Sequence, residues 1–270
     1  MYPILFKLPV PDFLESIFGT YFTVYSYGFF IVLGAIAGVT YTSYQAERKF
    51  ALPFDKINSL FLLLLLAAFV GGKVFLYLEN PSRYANNFKG LLTGKGFVFY
   101  GSLLFCIPAM LVFFKRNKLP VYEMLDIMAV TTCIVHIFGR LGCFMAGCCY
   151  GIEWHGPIAV TFSDPVCLAR PLDQPLHPTQ LYGASMIISI LLVLLLVKNY
   201  QKFHGQLFLT YLLMYATGRS IIEVFRGDVS RGFIIEDYLS HSQFISLIVF
   251  SVTAYYYFRL YKKSRRIRTE

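Results

Sequence analysis

The chain has 270 residues, of which 57% are hydrophobic and only 14% charged, and its mean hydropathy is +0.59. Soluble domains carry roughly 25% charged residues, so water is excluded as the solvent for most of this surface. The net charge of +9 is concentrated at the end of the chain, where Arg259, Lys262, Lys263, Arg265, Arg266 and Arg268 form a basic tail. Such a tail suits anionic lipid head groups, and no aromatic-basic platform accompanies it, so nucleic acid is not an expected partner.

The predicted elements make an all-α integral membrane protein with about seven transmembrane helices. Residues 1–20 are expected to form an arm outside the membrane, with 13–18 on its outer surface. Residues 1–11 lack a basic region followed by an apolar run and a cleavage site, so no secretory signal peptide is expected. A span needs about 20 largely apolar residues. Spans are predicted at 21–43, 57–78, 97–114, 122–145, 179–197, 206–225 and 241–258, with the basic tail at 259–270. The 146–178 insertion is the one sizeable extramembrane segment, and Trp154-His155-Gly156-Pro157 reads as a turn before a short strand.

Loop charge sets the orientation. Arg48, Lys49, Lys56, Lys115, Arg116, Lys118, Lys198 and Lys202 fall in three loops on the same side as the tail. Positive charge marks the cytoplasmic side, which puts the C-terminus inside and the N-terminus outside. The 79–96 loop, with Arg83, Lys89 and Lys95 against Glu79, is the single exception.

Ionisable residues within spans are costly and mark functional positions. Lys73, Arg140 and Arg219 are the basic ones, all toward the outer ends of their spans. Arg219 and Glu223 are four residues apart on one helical face, and Arg226 follows three residues later. An Arg-Glu-Arg ladder can hold a phosphate with part of its charge already balanced, and the planar guanidinium fork suits that ligand. A helix-packing ion network is the alternative.

Arg140 sits in Gly139-Arg140-Leu141-Gly142-Cys143-Phe144, and Gly147 and Gly151 follow. So many glycines permit close backbone approach. Irregular backbone at membrane depth needs a protein or cavity lining, which points to a polar pocket for a lipid head group. His177-Pro178-Thr179-Gln180-Leu181-Tyr182 opens the fifth span, with His177 either at the interface or a solvated loop residue. Of six cysteines, Cys106 and Cys133 read as small buried hydrophobes. Cys143, Cys148, Cys149 and Cys167 lie toward the outer, oxidising face, where a disulfide from Cys167 to Cys148 or Cys149 is plausible. No metal site is predicted, because the C-x2-C spacing of structural zinc sites is missing.

Together these segments resemble the prolipoprotein diacylglyceryl transferase family. Gly139-Arg140-Leu141-Gly142-Cys143-Phe144 is similar to its G-R-x-G-N-F box. His177-Pro178-Thr179-Gln180-Leu181-Tyr182 is similar to H-P-S/T-Q-L-Y, and Gly218-Arg219 through Glu223 to Arg226 is similar to G-R-F/L-x-x-E-x-F/L-R. Tyr27-Gly28, Gly72-Lys73, Phe99-Tyr100-Gly101-Ser102-Leu103, Asp126 and Ser242-Gln243 give shorter matches, and all run in order along the chain.

The resemblance implies transfer of a diacylglyceryl group from phosphatidylglycerol to the thiol of a prolipoprotein lipobox cysteine. It places the chain in a bacterial inner membrane and makes the outer segments periplasmic. Phosphatidylglycerol or a similar phospholipid and the prolipoprotein signal peptide are its implied partners, and no metal or organic cofactor is implied. Arg140, Arg219 and Tyr100 become the expected catalytic residues. Tyr27, Lys73, Cys143, Cys148, His177, Gln180, Tyr182, Glu223 and Arg226 become the expected substrate-binding residues.

The departures from the family pattern cluster at this site. Cys143 stands for the usual Asn, Ala146-Gly147-Cys148 for N-x-E, Tyr100 for a frequent His, Ser102 for Gly and Gly183 for Glu. A divergent paralogue with another lipid or acceptor, a non-catalytic lipid-binding protein and a membrane thiol-redox protein stay open as alternatives on the residues alone.

Overall fold

The structure, a computed structural model, describes residues 2–11, 20–85, 88–93, 96–227, 233–235 and 238–269. The expected surface position of residues 13–18 lies outside these. Helices dominate. In chain order they are α1 (Ser26–Phe50), α2 (Phe54–Glu79), α3 (Pro81–Tyr84), α4 (Phe88–Thr93), α5 (Phe99–Arg116), α6 (Val121–Ala146), α7 (Thr179–Lys198), α8 (Gln206–Glu223) and α9 (His241–Thr269). Three two-stranded antiparallel ladders join β1 (Ile4–Pro9) to β2 (Tyr21–Tyr25), β3 (Val160–Thr161) to β4 (Pro175–Leu176), and β5 (Phe233–Ile235) to β6 (Leu239–Ser240).

Among the described residues, six helices, α1, α2, α5, α6, α7 and α9, are long and apolar enough to cross a membrane. The protein is a multi-pass membrane protein. The expected span at 206–225 is the exception. It folds as α8, but Gln206, Arg219 and Glu223 keep it outside the group that qualifies by length and composition. All the same, α8 is well packed between α7 and α9, with Leu207, Tyr211, Ala216 and Ile222 buried. The first span also starts later than expected: residues 21–25 form β2, so the helix begins at Ser26. Ser26 closes that ladder, its backbone N–H donating to the Pro3 carbonyl at 2.9 Å and its hydroxyl donating to the Tyr2 carbonyl.

The chain divides into two compact units. One comprises Met1–Gly38 and Met128–Glu270, the other Val39–Ile127. In the second unit α2 and α5 form the main pair. They meet at Gly71 and Gly101, so closely that a Cβ on either glycine would lie 2.4 Å from the other's carbonyl oxygen. In lipid, where apolar surface gives no hydrophobic drive between helices, small residues let backbones approach and polar side chains bond across. Here Ser102 Oγ donates to the Ala68 carbonyl at 2.8 Å, and Cys106 Sγ donates to that of Leu64 at 3.3 Å. Gly101→Val is therefore expected to separate α2 from α5. Detergent-solubilised protein should then melt at lower temperature, whereas Leu104→Val, at a position 57% exposed, should leave melting unchanged.

In the first unit, the N-terminal half of α1 packs on α6 through Gly34 and Gly142. A Cβ at Gly34 would meet Phe138 Cβ at 2.9 Å, and one at Gly142 would meet Tyr27 Cδ2 at 3.2 Å. The 146–178 insertion carries its own small core of Phe162, Cys167, Ala169 and Leu176. The short strand expected after Trp154-His155-Gly156-Pro157 is present as β3.

Candidate active site

Arg140 lies in the last turns of α6, and its Nε–H donates to His136 Nε2 at 3.2 Å. His136 was not among the expected site residues, though a histidine four residues before an arginine inside a span is a readable signal. Accepting at Nε2 places the imidazole proton on Nδ1. Opposite, α7 makes room: a Cβ on Gly183 would lie 3.0 Å from Arg140 Nε and 3.1 Å from its Cδ. Glycine at 183, where the resemblance expects glutamate, is thus the residue over which the Arg140 side chain extends.

Arg219 and Glu223 form the expected pair on α8, with Arg219 Nη1 2.6 Å from Glu223 Oε2 and side chains only 15% and 2% exposed. Arg219 is within electrostatic reach of Arg140 and Arg226, and His136 within reach of both Arg140 and Arg219. Three guanidinium groups and one carboxylate therefore share this region of the first unit. In so poorly hydrated a place, charges interact far more strongly than in water.

The segment after α6 turns sharply, with positive φ at Gly147 (73°) and at Cys149 (59°). A left-handed conformation is unusual for a non-glycine residue, and two side chains at the start of α7 hold it. Thr179 Oγ1 donates to the Cys149 carbonyl at 2.6 Å, and Gln180 Nε2 donates to the Cys148 carbonyl at 2.7 Å. Thr179 and Gln180 are both fully buried. Gln180, expected to bind substrate, braces this loop.

The two boxes and the Arg226 segment then join in a main-chain junction. Gly151 N–H donates to the His177 carbonyl and His177 N–H to that of Ile152, at 2.9 and 3.0 Å. Ile152 N–H donates to the Phe225 carbonyl at 2.9 Å, and Gly227 N–H to that of Tyr150 at 3.2 Å. Gly151 is pressed between them, since a Cβ there would be 2.5 Å from His177 Cβ and 2.6 Å from the Phe225 oxygen.

His177 is buried, not solvated. It stacks on Trp154 with ring centroids 4.4 Å apart, meets Phe225 edge-on at 5.3 Å, and shares a 2.9 Å hydrogen bond between Nδ1 and the Tyr182 hydroxyl. Burial lowers its pKa below the ordinary histidine value. The unfolded chain therefore binds the proton more readily than the folded one, and stability is lost as pH falls through about 6.5. Thermal melts from about pH 7.5 down to about pH 5 should show this decline, and His177→Gln should flatten it.

The sulfur atoms of Cys143, Cys148 and Cys149 all lie within 4.8 Å of one another, and each cysteine is partly exposed. Tyr27, near the start of α1, is within electrostatic reach of all three thiols and of Arg140. All six cysteines are free, so the disulfide considered from Cys167 is not formed; Cys167 is buried in the core of the insertion instead. Its burial raises the thiol pKa.

Lys73 and Tyr100 belong to the second unit. Lys73 is buried, and its Nζ donates to the Gly96 carbonyl at 3.2 Å and sits 5.9 Å from the Phe69 ring centroid. It is therefore bonded within the protein. Tyr100, in the first turn of α5, is 46% exposed and edge-on to Phe99.

Comparison with known proteins gives the family. The family model described as prolipoprotein diacylglyceryl transferase matches residues 15–259. The chain belongs to the prolipoprotein diacylglyceryl transferase family. It is 32% identical over 248 residues to the phosphatidylglycerol–prolipoprotein diacylglyceryl transferase of Clostridium tetani, covering 92% of this chain and 93% of that protein. A second such enzyme, transferase 2 of Clostridium perfringens, is 32% identical over 87% of this chain and 90% of its own length. That of Campylobacter lari is 27% identical over 89% and 92%.

Proposed function

We propose that this protein transfers the diacylglyceryl group of phosphatidylglycerol to the thiol of a prolipoprotein cysteine. The observation that carries this reading is that Arg140 and Arg226 both lie within electrostatic reach of Arg219, with His136 bonded to Arg140 and Glu223 paired with Arg219, in a membrane protein of this family. The reaction forms a C–S bond at the glycerol carbon and breaks its C–O bond to phosphate. The electron pair stays on the leaving phosphate oxygen, and the thiol gives up its proton. Charge grows on the phosphate as the bond breaks, and fixed cations aimed at that position lower the barrier. Arg140 and Arg219 have this role, Arg226 and Lys73 support it, and Glu223 holds Arg219 in place.

Tyr27, His177, Tyr182, Gln180, Cys143 and Cys148 shape the substrate pocket, the last two as thiols where the family pattern has an amide and a carboxylate. Tyr100 assists removal of the acceptor's proton to water, its hydroxyl passing on one proton as it takes another. Tyr100→Phe should lower transfer by roughly 10²-fold, within the range for a general base, without changing the melting temperature.

The protein acts in a bacterial inner membrane with its N-terminus outside and its C-terminus in the cytoplasm. Residues 1–20 form an outer arm, 21–258 the membrane domain with the 146–178 insertion on the periplasmic side, and 259–270 a lipid-anchoring tail. Both substrates reach the site from within the bilayer.

The test is reconstitution of purified protein with phosphatidylglycerol and a lipobox peptide, followed by mass spectrometry of the peptide. A diacylglyceryl adduct establishes the activity. Folded protein that binds phospholipid and yields no adduct would redirect the reading to a paralogue with another acceptor, the alternative that the thiols at 143 and 148 favour.

A further inference from the structure

The three-cysteine cluster is not required by charge stabilisation at a leaving phosphate. Its geometry suits another task. Zinc–sulfur bonds are about 2.3 Å, so three thiolates on one tetrahedral ion stand about 3.8 Å apart. The three sulfurs here already lie within 4.8 Å of one another, so a side-chain adjustment of under about 1 Å closes the site. The scaffold beneath is braced: Cys143 lies in the last turn of α6, and the carbonyls of Cys148 and Cys149 are held by Gln180 and Thr179. Cys148 N–H also donates to the Cys143 carbonyl at 3.1 Å, closing the turn that brings the sulfurs together. Soft thiolate sets select zinc-class ions over hard cations. Three thiolates on a divalent ion leave one negative charge, and Arg140 and Arg226 lie within electrostatic reach of Cys149 to offset it.

We propose that Cys143, Cys148 and Cys149 bind a zinc-class divalent ion with three protein ligands and a fourth position open to the acceptor thiol. This rests on the transferase reading for the identity of the fourth ligand, but not for the metal site itself. Three protein ligands and one exchangeable position are the pattern of catalytic zinc, and a thiol that coordinates such an ion is deprotonated outright. The bound acceptor sulfur then forms the C–S bond as the C–O bond breaks to release the phosphate monoester. Its proton leaves to water on coordination. Thiols at 143 and 148 thereby activate the nucleophile, in place of the amide and carboxylate of the family pattern.

The experiment uses the full-length protein, reduced and purified in detergent, loaded with Zn²⁺ or Co²⁺ and freed of excess ion. Metal content should be about one ion per chain, and the cobalt form should show thiolate-to-metal charge-transfer absorption. Both should be lost in Cys148→Ser and in Cys143→Ser/Cys149→Ala, and retained in Cys106→Ser. A lipobox peptide with cysteine should shift the cobalt ligand-field bands, and the same peptide with serine should not. Reduced, folded protein that takes up no stoichiometric metal overturns the site, as does binding that survives both cluster variants. Metal binding without the cysteine-dependent shift overturns the open fourth position. Lipid transfer by metal-free protein sinks this proposal alone, whereas a filled metal site in a protein that never transfers lipid sinks the transferase reading alone.

Discussion

Arg140→Ala should lower diacylglyceryl transfer by about 10²–10³-fold, the loss typical of removing one fixed donor from a charge-stabilising site. The effect should fall mainly on kcat, since the charge that Arg140 faces develops as the phosphate leaves. Folding should survive. Arg140 bonds to a neutral partner, His136, and lies over Gly183, so its removal leaves no buried opposite charge behind. Lysine at 140 should recover little of the activity, because an ammonium lacks the planar fork that grips phosphate at two points. The measurement is single-turnover transfer to a lipobox peptide in phosphatidylglycerol vesicles, alongside a thermal melt. Full activity in Arg140→Ala would end the case for this arginine as a phosphate ligand.

Glu223→Ala should be the most destabilising of the site substitutions. Glu223 is almost wholly buried and 2.6 Å from Arg219. Removing one member of a buried ion pair leaves the other charge uncompensated, at a cost of about 3–5 kcal/mol. The double variant Arg219→Met/Glu223→Leu should recover much of that stability, because two apolar side chains of similar volume are tolerated where one stranded charge is not. It should also be inactive. Activity and stability thus separate in this pair, whereas in Arg140 only activity is at stake. Denaturation of the single and double variants in one detergent checks it. Equal destabilisation by Glu223→Ala and the double variant would mean that the pair is not coupled.

The helical frame was largely legible in the sequence, because a span in lipid must be both apolar and long. Expected spans at 57–78 and 179–197 correspond to α2 at Phe54–Glu79 and α7 at Thr179–Lys198. Where other signals competed, the reading slipped. Tyr21–Tyr25 is apolar and aromatic, so it counted toward a span, yet its pairing with β1 makes it a strand. Charge on α8 points to a site there, and the same charge keeps that helix below the composition of a span.

At the site, the arginine ladder was readable because Arg219 and Glu223 stand one helical turn apart. The burial of His177 was not, since it comes from Trp154, Phe225 and Tyr182, which no single local pattern connects to it. The closeness of the Cys143, Cys148 and Cys149 sulfurs was not legible for a similar reason: the last turn of α6 and a left-handed residue bring them together.

Thr179 and Gln180 grip the main-chain carbonyls of residues 149 and 148, not their side chains. The shape of that turn is thus insulated from what its residues display. A lineage can exchange amide or carboxylate for thiol there without rebuilding the loop, and each exchange is tried on a preformed platform. The same insulation gives protein engineers an exchangeable cassette: libraries at 143, 148 and 149 should fold at high frequency while sampling new nucleophile-activating chemistry, provided the two braces on α7 are kept.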